Sequence, residues 1–383
     1  MNMNKSKVAL IGCDSYDDEQ VYEAVGLGID LIGGLQSFVK PGERIVLKPN
    51  VLFGADPLRC ISTHPSVLKA VSRKLQAAGV ITLYGDSSGF GGCRINMRRA
   101  KLESAADELG ILMADFDRGR VVSHREALLN KRFVVANGIL DSDGVISLPK
   151  LKTHGLTRFT GAVKNQFGCV PGMQKSQFHL KLADPYDFAT MLVDLTTLIM
   201  PRLYIMDGIM AMEGNGPRSG KPRKVGVLII STDPVALDAV ACKLIDLNPE
   251  FVPTSTPGER SGLGTYHDEN IEVVGDKLEP LVDEDFEVVR KPPISVKSGL
   301  IRTFFKNQVC PRTIINEQLC TNCGTCVKVC PVNPKAVEWR EGDESKPPAF
   351  NYNRCIRCFC CQELCPDGAI RIKDTLLGKV FFR

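Results

Sequence analysis

Two stretches, CTNCGTCVKVCP beginning at Cys320 and CIRCFCCQELCP beginning at Cys355, share the spacing C-x2-C-x2-C-x3-C-P. Three thiolates two residues apart let one tight loop wrap three corners of a metal–sulfide cube. The proline after the fourth cysteine turns the chain away into the other half, and in this arrangement the fourth cysteine of each run ligates the other cluster. The spacing therefore predicts one 4Fe-4S cluster on Cys320, Cys323, Cys326 and Cys365, and a second on Cys355, Cys358, Cys361 and Cys330. Zinc knuckles also use C-x2-C pairs, but they want four ligands per site in a tetrahedron. A doubled x2-x2-x3-Pro rhythm is not how such sites are spaced. Cys360, wedged between Cys358 and Cys361, reads as a spectator thiol. So do Cys310 and the cysteines scattered through the first 242 residues, which behave as small hydrophobes.

From Ile315 to Lys373 the chain resembles the two-cluster ferredoxins. It departs from them in EWREGDESKPPAFNYN, between Cys330 and Cys355, which is expected to form an enlarged hairpin between the halves. The ligand count is untouched; docking with a partner is what such an enlargement alters.

At 383 residues, with 44% hydrophobic and 24% charged residues, the chain has globular composition and length for two or three domains. The net charge of +4 is too small to mark a nucleic-acid binder. The start, MNMNKSKVALIGCDS, is too short in apolar residues for a secretion signal, and no run of about 18 apolar residues that would span a bilayer is present. A cytoplasmic protein without a transmembrane segment is expected, in a reducing compartment where thiolates stay free to bind metal.

Upstream of the cysteines, short β-branched runs alternate with longer amphipathic segments. This is the rhythm of an α/β fold with a mainly parallel sheet and crossover helices, followed by a small C-terminal α+β domain. KVALIG, ERIVLK, ITLYG, DGVISL, RLYIMD and VGVLIIS read as strands, with helices near residues 19–38, 63–80, 184–199 and 234–245. Polar loops follow five of these strands: Lys48 to Asn50, Gly85 to Ser87, Pro149 to His154, Asp207 with Gly208, and Ser231 to Pro234. The carboxyl ends of parallel strands share one edge, which is where ligands bind. Candidate binding residues there are Lys48, Asn50, Asp86, Asn165, Asp207 and Asp233. Lys150, Asp238 and His64 read as structural.

From Leu148 to Ala183 the chain has six Lys or Arg residues, with His154 and His179, and no acid. Such a run produces a positive concavity suited to carboxylates or phosphates. Glycine and apolar interruptions argue for a folded loop, and with only Phe available for stacking, nucleic acid ranks low. GNGPRSGKP, from Gly214 to Pro222, fails as a Walker motif because Asn215 and Pro222 stand where Gly and Ser/Thr are required, leaving only an anion nest as an option. No G-x-G-x-x-G follows the first strand.

VLKPN, THPSVLKAV, LYGDSSG, LPKLKTHGLTRFTGAVKNQFGCVPG, MDGIMAMEGNGP and STDPVALDAVA occur in order from Val8 to Ile245, and together they resemble the family known as domain of unknown function 362. Members often carry a C-terminal two-cluster ferredoxin module. The order His154, Gly161, Lys164, Pro171, Gly172, His179 is similar to that of the lactate racemase family. The expected organisation is an α/β domain over residues 1–289, a basic linker over 290–314, the ferredoxin module over 315–375 and a tail over 376–383. An iron–sulfur oxidoreductase is expected, in which the clusters exchange electrons with a small anionic substrate. Lys152 and Lys164 would clamp the anion, with His154 or His179 as proton donor. Asp86, Asp207 and Asp233 would orient them or hold a metal. A redox partner protein, a ferredoxin, flavodoxin or reductase, would complete the circuit. The alternatives are a non-catalytic electron-transfer subunit, or a cluster carrier or redox sensor.

Overall fold

His64, Asp184 and Asp233 each stand immediately before a proline, and each starts a helix. The side chain of His64 accepts from the Ser66 N–H, that of Asp184 from Tyr186 and Asp187, and that of Asp233 from Val235 and Ala236. The prolines take first-turn positions whose N–H would be unpaired in any case. The helices so started, Pro65–Ala77, Pro185–Ile199 and Pro234–Leu244, pack on the sheet together with Asp18–Leu31, capped by Asp17.

The computed structural model describes residues 5–89, 91–172, 174–295 and 302–381. Ten strands form one sheet: β1 (Ser6–Gly12), β2 (Arg44–Pro49), β3 (Ile81–Tyr84), β4 (Leu112–Met113), β5 (Gly144–Leu148), β6 (Lys150–His154), β7 (Arg158–Thr160), β8 (Leu203–Glu213), β9 (Lys221–Ser231) and β10 (Ile271–Gly275). Their order is β10-β1-β9-β8-β5-β2-β3-β4, with β6 beside β8 and β7 beside β6. The expected α/β architecture with a mainly parallel sheet is therefore present. Along the main path only β9 runs antiparallel to its neighbours, β1 and β8. Buried apolar side chains fill both faces, Ile45, Leu47 and Ile146 on one and Tyr204, Met206 and Ile229 on the other.

The cysteine-rich segment is closed at its ends by strands Arg312–Ile315 and Ile370–Lys373, paired antiparallel. Helices Thr325–Val329 and Cys360–Leu364 pack against one another inside it. The enlarged hairpin is present: Val337–Glu338 pairs antiparallel with Ala349–Phe350. Of the basic stretch preceding the segment, residues 296–301 lie outside the described residues, and Arg302–Val309 is helical. Residues 376–383, read above as a tail, contain the helix Leu376–Phe381.

The module sits directly on the body, held by the loop 214–222. Asn215 Nδ2 donates to the Ile370 carbonyl at 3.1 Å, Gln362 Nε2 donates to Asn215 Oδ1 at 2.9 Å, and Arg218 Nη1 donates to the Leu364 carbonyl at 2.7 Å. The loop that resembled an anion nest thus spends its polar groups on docking. Gly155 allows the approach, because a Cβ there would stand 2.3 Å from Ile372 Cδ1. Among the described residues no helix is long and apolar enough to cross a membrane.

Candidate functional site

Between body and module lies a cavity of about 360 Å³. Strand ends of the body supply Asn50, Asp86, Lys152 and His154; the basic segment supplies Lys164, Asn165, Lys175 and His179. The module contributes Cys330, Cys360 and Glu363, with Lys328 and Lys335 beside them.

Seven of the ten body positions singled out in the sequence line this cavity. Lys48 stands just behind them. Its Nζ lies 2.7 Å from Asp86 Oδ1 and donates to Asn165 Oδ1 at 3.0 Å, while Asn50 Nδ2 donates to the same oxygen at 3.1 Å. Asp86 also accepts from the Val51 N–H at 2.7 Å. Gly168 is required at this point: a Cβ there would fall 1.8 Å from Asp86 Oδ1 and 2.7 Å from Lys48 Nζ.

Asp207 and Asp233 do not line it. Asp207 forms a buried ion pair with Lys150 at 2.7 Å and accepts from the Tyr16 hydroxyl at 2.8 Å and the His64 N–H at 2.9 Å. Asp233 follows β9, whose antiparallel course delivers it to the opposite edge of the sheet. There it caps its helix and accepts from Ser6 Oγ at 2.6 Å, at the start of β1. Asp238 accepts from the Ala162 and Val163 N–H groups and so anchors the short helix Ala162–Asn165 that carries Lys164.

His154 and His179 have different environments. His154 Nδ1 accepts from the Leu156 and Thr157 N–H groups at 3.1 and 3.3 Å, so its proton resides on Nε2. That nitrogen lies 3.1 Å from Glu363 Oε1 on the module, off the line of a hydrogen bond, and neither atom has another partner. Burial pushes the pKa of this imidazole down against the pull of Glu363. His179 stacks on Phe188 with centroids 4.5 Å apart, and its Nδ1 is buried without a partner. Burial pushes its pKa down to about 4.

Burial likewise pushes Lys152 down to about 7, helped by Lys164 and Lys150 and opposed by Asp86 and Glu363. Lys175 is pushed to about 8, and Lys164 is lowered by the same cause. Lys175 and Glu363 were not singled out in the sequence. Lys175 lies in the acid-free run, and Glu363 lies inside a cysteine motif that reads first as ligands.

In the module the first predicted cysteine set lines one small cavity: Cys320, Cys323, Cys326 and Cys365 surround it, with Cys323 exposed. Cys361 of the second set stands beside Cys355 and Cys358, and Cys330 packs into the same core. Among the described residues no three Cys, His, Asp or Glu side chains gather so as to hold a single metal ion. The first set, four thiols around a hollow, fits an iron–sulfur cube.

Residues 45–243, just over half of the chain, match the family model described as Domain of unknown function (DUF362), and residues 312–366 match the 4Fe-4S dicluster domain. A thylakoid-associated protein of Synechocystis is 39% identical over 257 residues, which is 67% of this chain and 79% of that protein. NADH-quinone oxidoreductase subunit I 2 of Symbiobacterium thermophilum is 38% identical over 70 residues, 17% of this chain and 29% of that one. The lactate racemase apoprotein of Thermoanaerobacterium thermosaccharolyticum matches at a TM-score of 0.40 and 13% identity, over 61% of this chain and 55% of its own. The chain belongs to the DUF362 family and carries at its C-terminal end a ferredoxin-type domain that binds iron–sulfur clusters and serves electron transfer.

Proposed function

We propose that the chain is an oxidoreductase that exchanges electrons between two cysteine-bound clusters and a small anion held in the interdomain cavity. The clusters, when bound, accept and release single electrons. The observation that carries the reading is the composition of the cavity wall. Cys330, a predicted ligand of the second set, faces the same space as Lys152 and Lys164. A carrier that only ferries electrons has no need of a basic cavity beside a ligand.

In this reading Lys152 and Lys164 hold the anion, Asn50 and Asn165 shape its seat, and Lys48 with Asp86 braces the floor. His179 is better placed than His154 to pass a proton, because Nδ1 of His179 is unengaged while both nitrogens of His154 face fixed neighbours. Cys323, exposed in the first set, marks the side where a ferredoxin, flavodoxin or reductase would dock. The domain division given above and a cytoplasmic setting, where thiolates remain reduced, belong to the same proposal.

The test is anaerobic. The clusters are reconstituted and reduced, and a panel of small carboxylates and phosphates is assayed for reoxidation of wild type, Lys152→Ala and Lys164→Ala. Acceleration in wild type that is lost in both variants is expected. No acceleration by any compound, with reoxidation by protein partners intact, would instead identify a non-catalytic electron-transfer subunit.

A further inference from the structure

The cavity holds more buried cations than acids to match them. Its carboxylates are Asp86 and Glu363. Asp86 is taken by Lys48 at 2.7 Å, and Glu363 faces His154 at 3.1 Å with Lys164 nearby. Of the lining lysines, Lys152 and Lys175 are the buried ones, and among the described residues no carboxylate is in contact with either. Both are buried, and each donates to a backbone carbonyl, that of Ile61 and that of Ser87 respectively. Among the described residues neither forms an ion pair. An ammonium buried without a counter-charge is costly, so two of them in one wall call for a ligand that supplies two negative charges.

We propose that this cavity binds a small organic dianion, carrying either two carboxylates or one phosphoryl group, with Lys152 and Lys175 as its counter-charges. The inference rests on the reading that an anion enters here, and it narrows that anion's class. Val51, Leu52, Phe167, Pro217 and Leu364 also line the space, so the ligand has a short apolar body. A volume of about 360 Å³ is that of a small-molecule site.

The net negative charge of a cluster with its thiolates is part of the local balance. It acts first on the cations of its own side, Lys328 and Lys335 on the module and Lys164, which neighbours Cys360. Lys152 and Lys175 have mainly body groups around them, Glu363 of the module being the exception. Lys150, Lys164, Asp86 and Glu363 face Lys152, and Lys48, Asp86, Cys93 and Cys169 face Lys175.

Proton uptake follows from the same geometry. Burial holds Lys152 near 7, so at a pH one unit higher the empty site is largely neutral at this position. A dianion beside it restores the ammonium, and binding therefore draws a proton from the buffer.

Calorimetry on the oxidised, cluster-loaded full chain at about pH 8, in two buffers of different ionisation heat, tests this with succinate, methyl phosphate and propionate. At least one dianion is expected to bind about tenfold or more tightly than propionate and to take up a proton on binding. Lys152→Met should lower both the preference and the uptake, and Lys175→Met should lower the preference. Binding of succinate alone identifies a dicarboxylate site, and binding of methyl phosphate alone a phosphoryl site. Equal affinity for propionate, dianion binding without proton uptake, or no binding of either dianion would overturn the proposal. The wild-type arm decides even if a variant fails to fold. Dianion binding with uptake but no reoxidation of the clusters would leave this inference standing and remove the proposed electron transfer. Reoxidation by a monoanion of equal affinity would do the reverse.

Discussion

Lys150 and Lys152 stand two residues apart on one strand and have opposite surroundings. Lys150 is matched by Asp207 at 2.7 Å and donates to the Tyr16 hydroxyl at 2.8 Å, so its charge is bound into the structure. Removing one partner of a buried pair strands the other. Asp207→Ala is expected to lower stability by about 3–5 kcal/mol, read from the midpoint of chemical denaturation. Lys152 lacks such a partner, and its pKa of about 7 in the folded state lies below the 10.5 of an ordinary lysine. Between those values the unfolded chain binds a proton that the folded chain does not, so stability rises with pH through this window. Denaturation midpoints measured from pH 7 upward should show the rise, and Lys152→Met should flatten it.

At the scale of elements, strand direction decides which polar groups share an edge. Loops after β2, β3 and β6 meet at the cavity because these strands run the same way as β8. The loop after β9 leaves from the opposite edge, which is why Asp233 serves as a helix cap. Caps of this type contribute individually small amounts. Asp17→Ala, which removes the acceptor for the Glu19 and Gln20 N–H groups, is expected to cost about 1 kcal/mol, measurable by thermal melts. Gly168→Ala acts differently, since the added methyl meets Asp86 and Lys48 rather than open space. Its expected effect is loss of anion binding in calorimetry while the cluster absorbance is retained.

For the whole molecule, the decisive fact is that the cysteine-rich module closes the cavity instead of hanging from a linker. Gly155→Val should push against Ile372 and loosen this seat. The expected result is faster release of a cysteine-rich fragment in limited proteolysis together with weaker anion binding. Unchanged proteolysis and binding would mean that the docked arrangement is not what forms the site. The spacing of the cysteines, the alternation of strands and helices, and the acid-free run around Lys152 and Lys164 were all legible in the sequence, because each depends on neighbours within a turn or a strand. The pairing of Lys150 with Asp207 spans 57 residues, and the meeting of His154 with Glu363 joins two domains. The antiparallel course of β9 was equally invisible, since periodicity records which face a residue occupies and not which way its strand runs. Sequence by itself therefore determined the chemistry available to this protein, cysteine sets and an acid-free run of cations. Only the tertiary structure decided which cations keep a partner and that Cys330, read as a cluster ligand, lines the same cavity as those that do not.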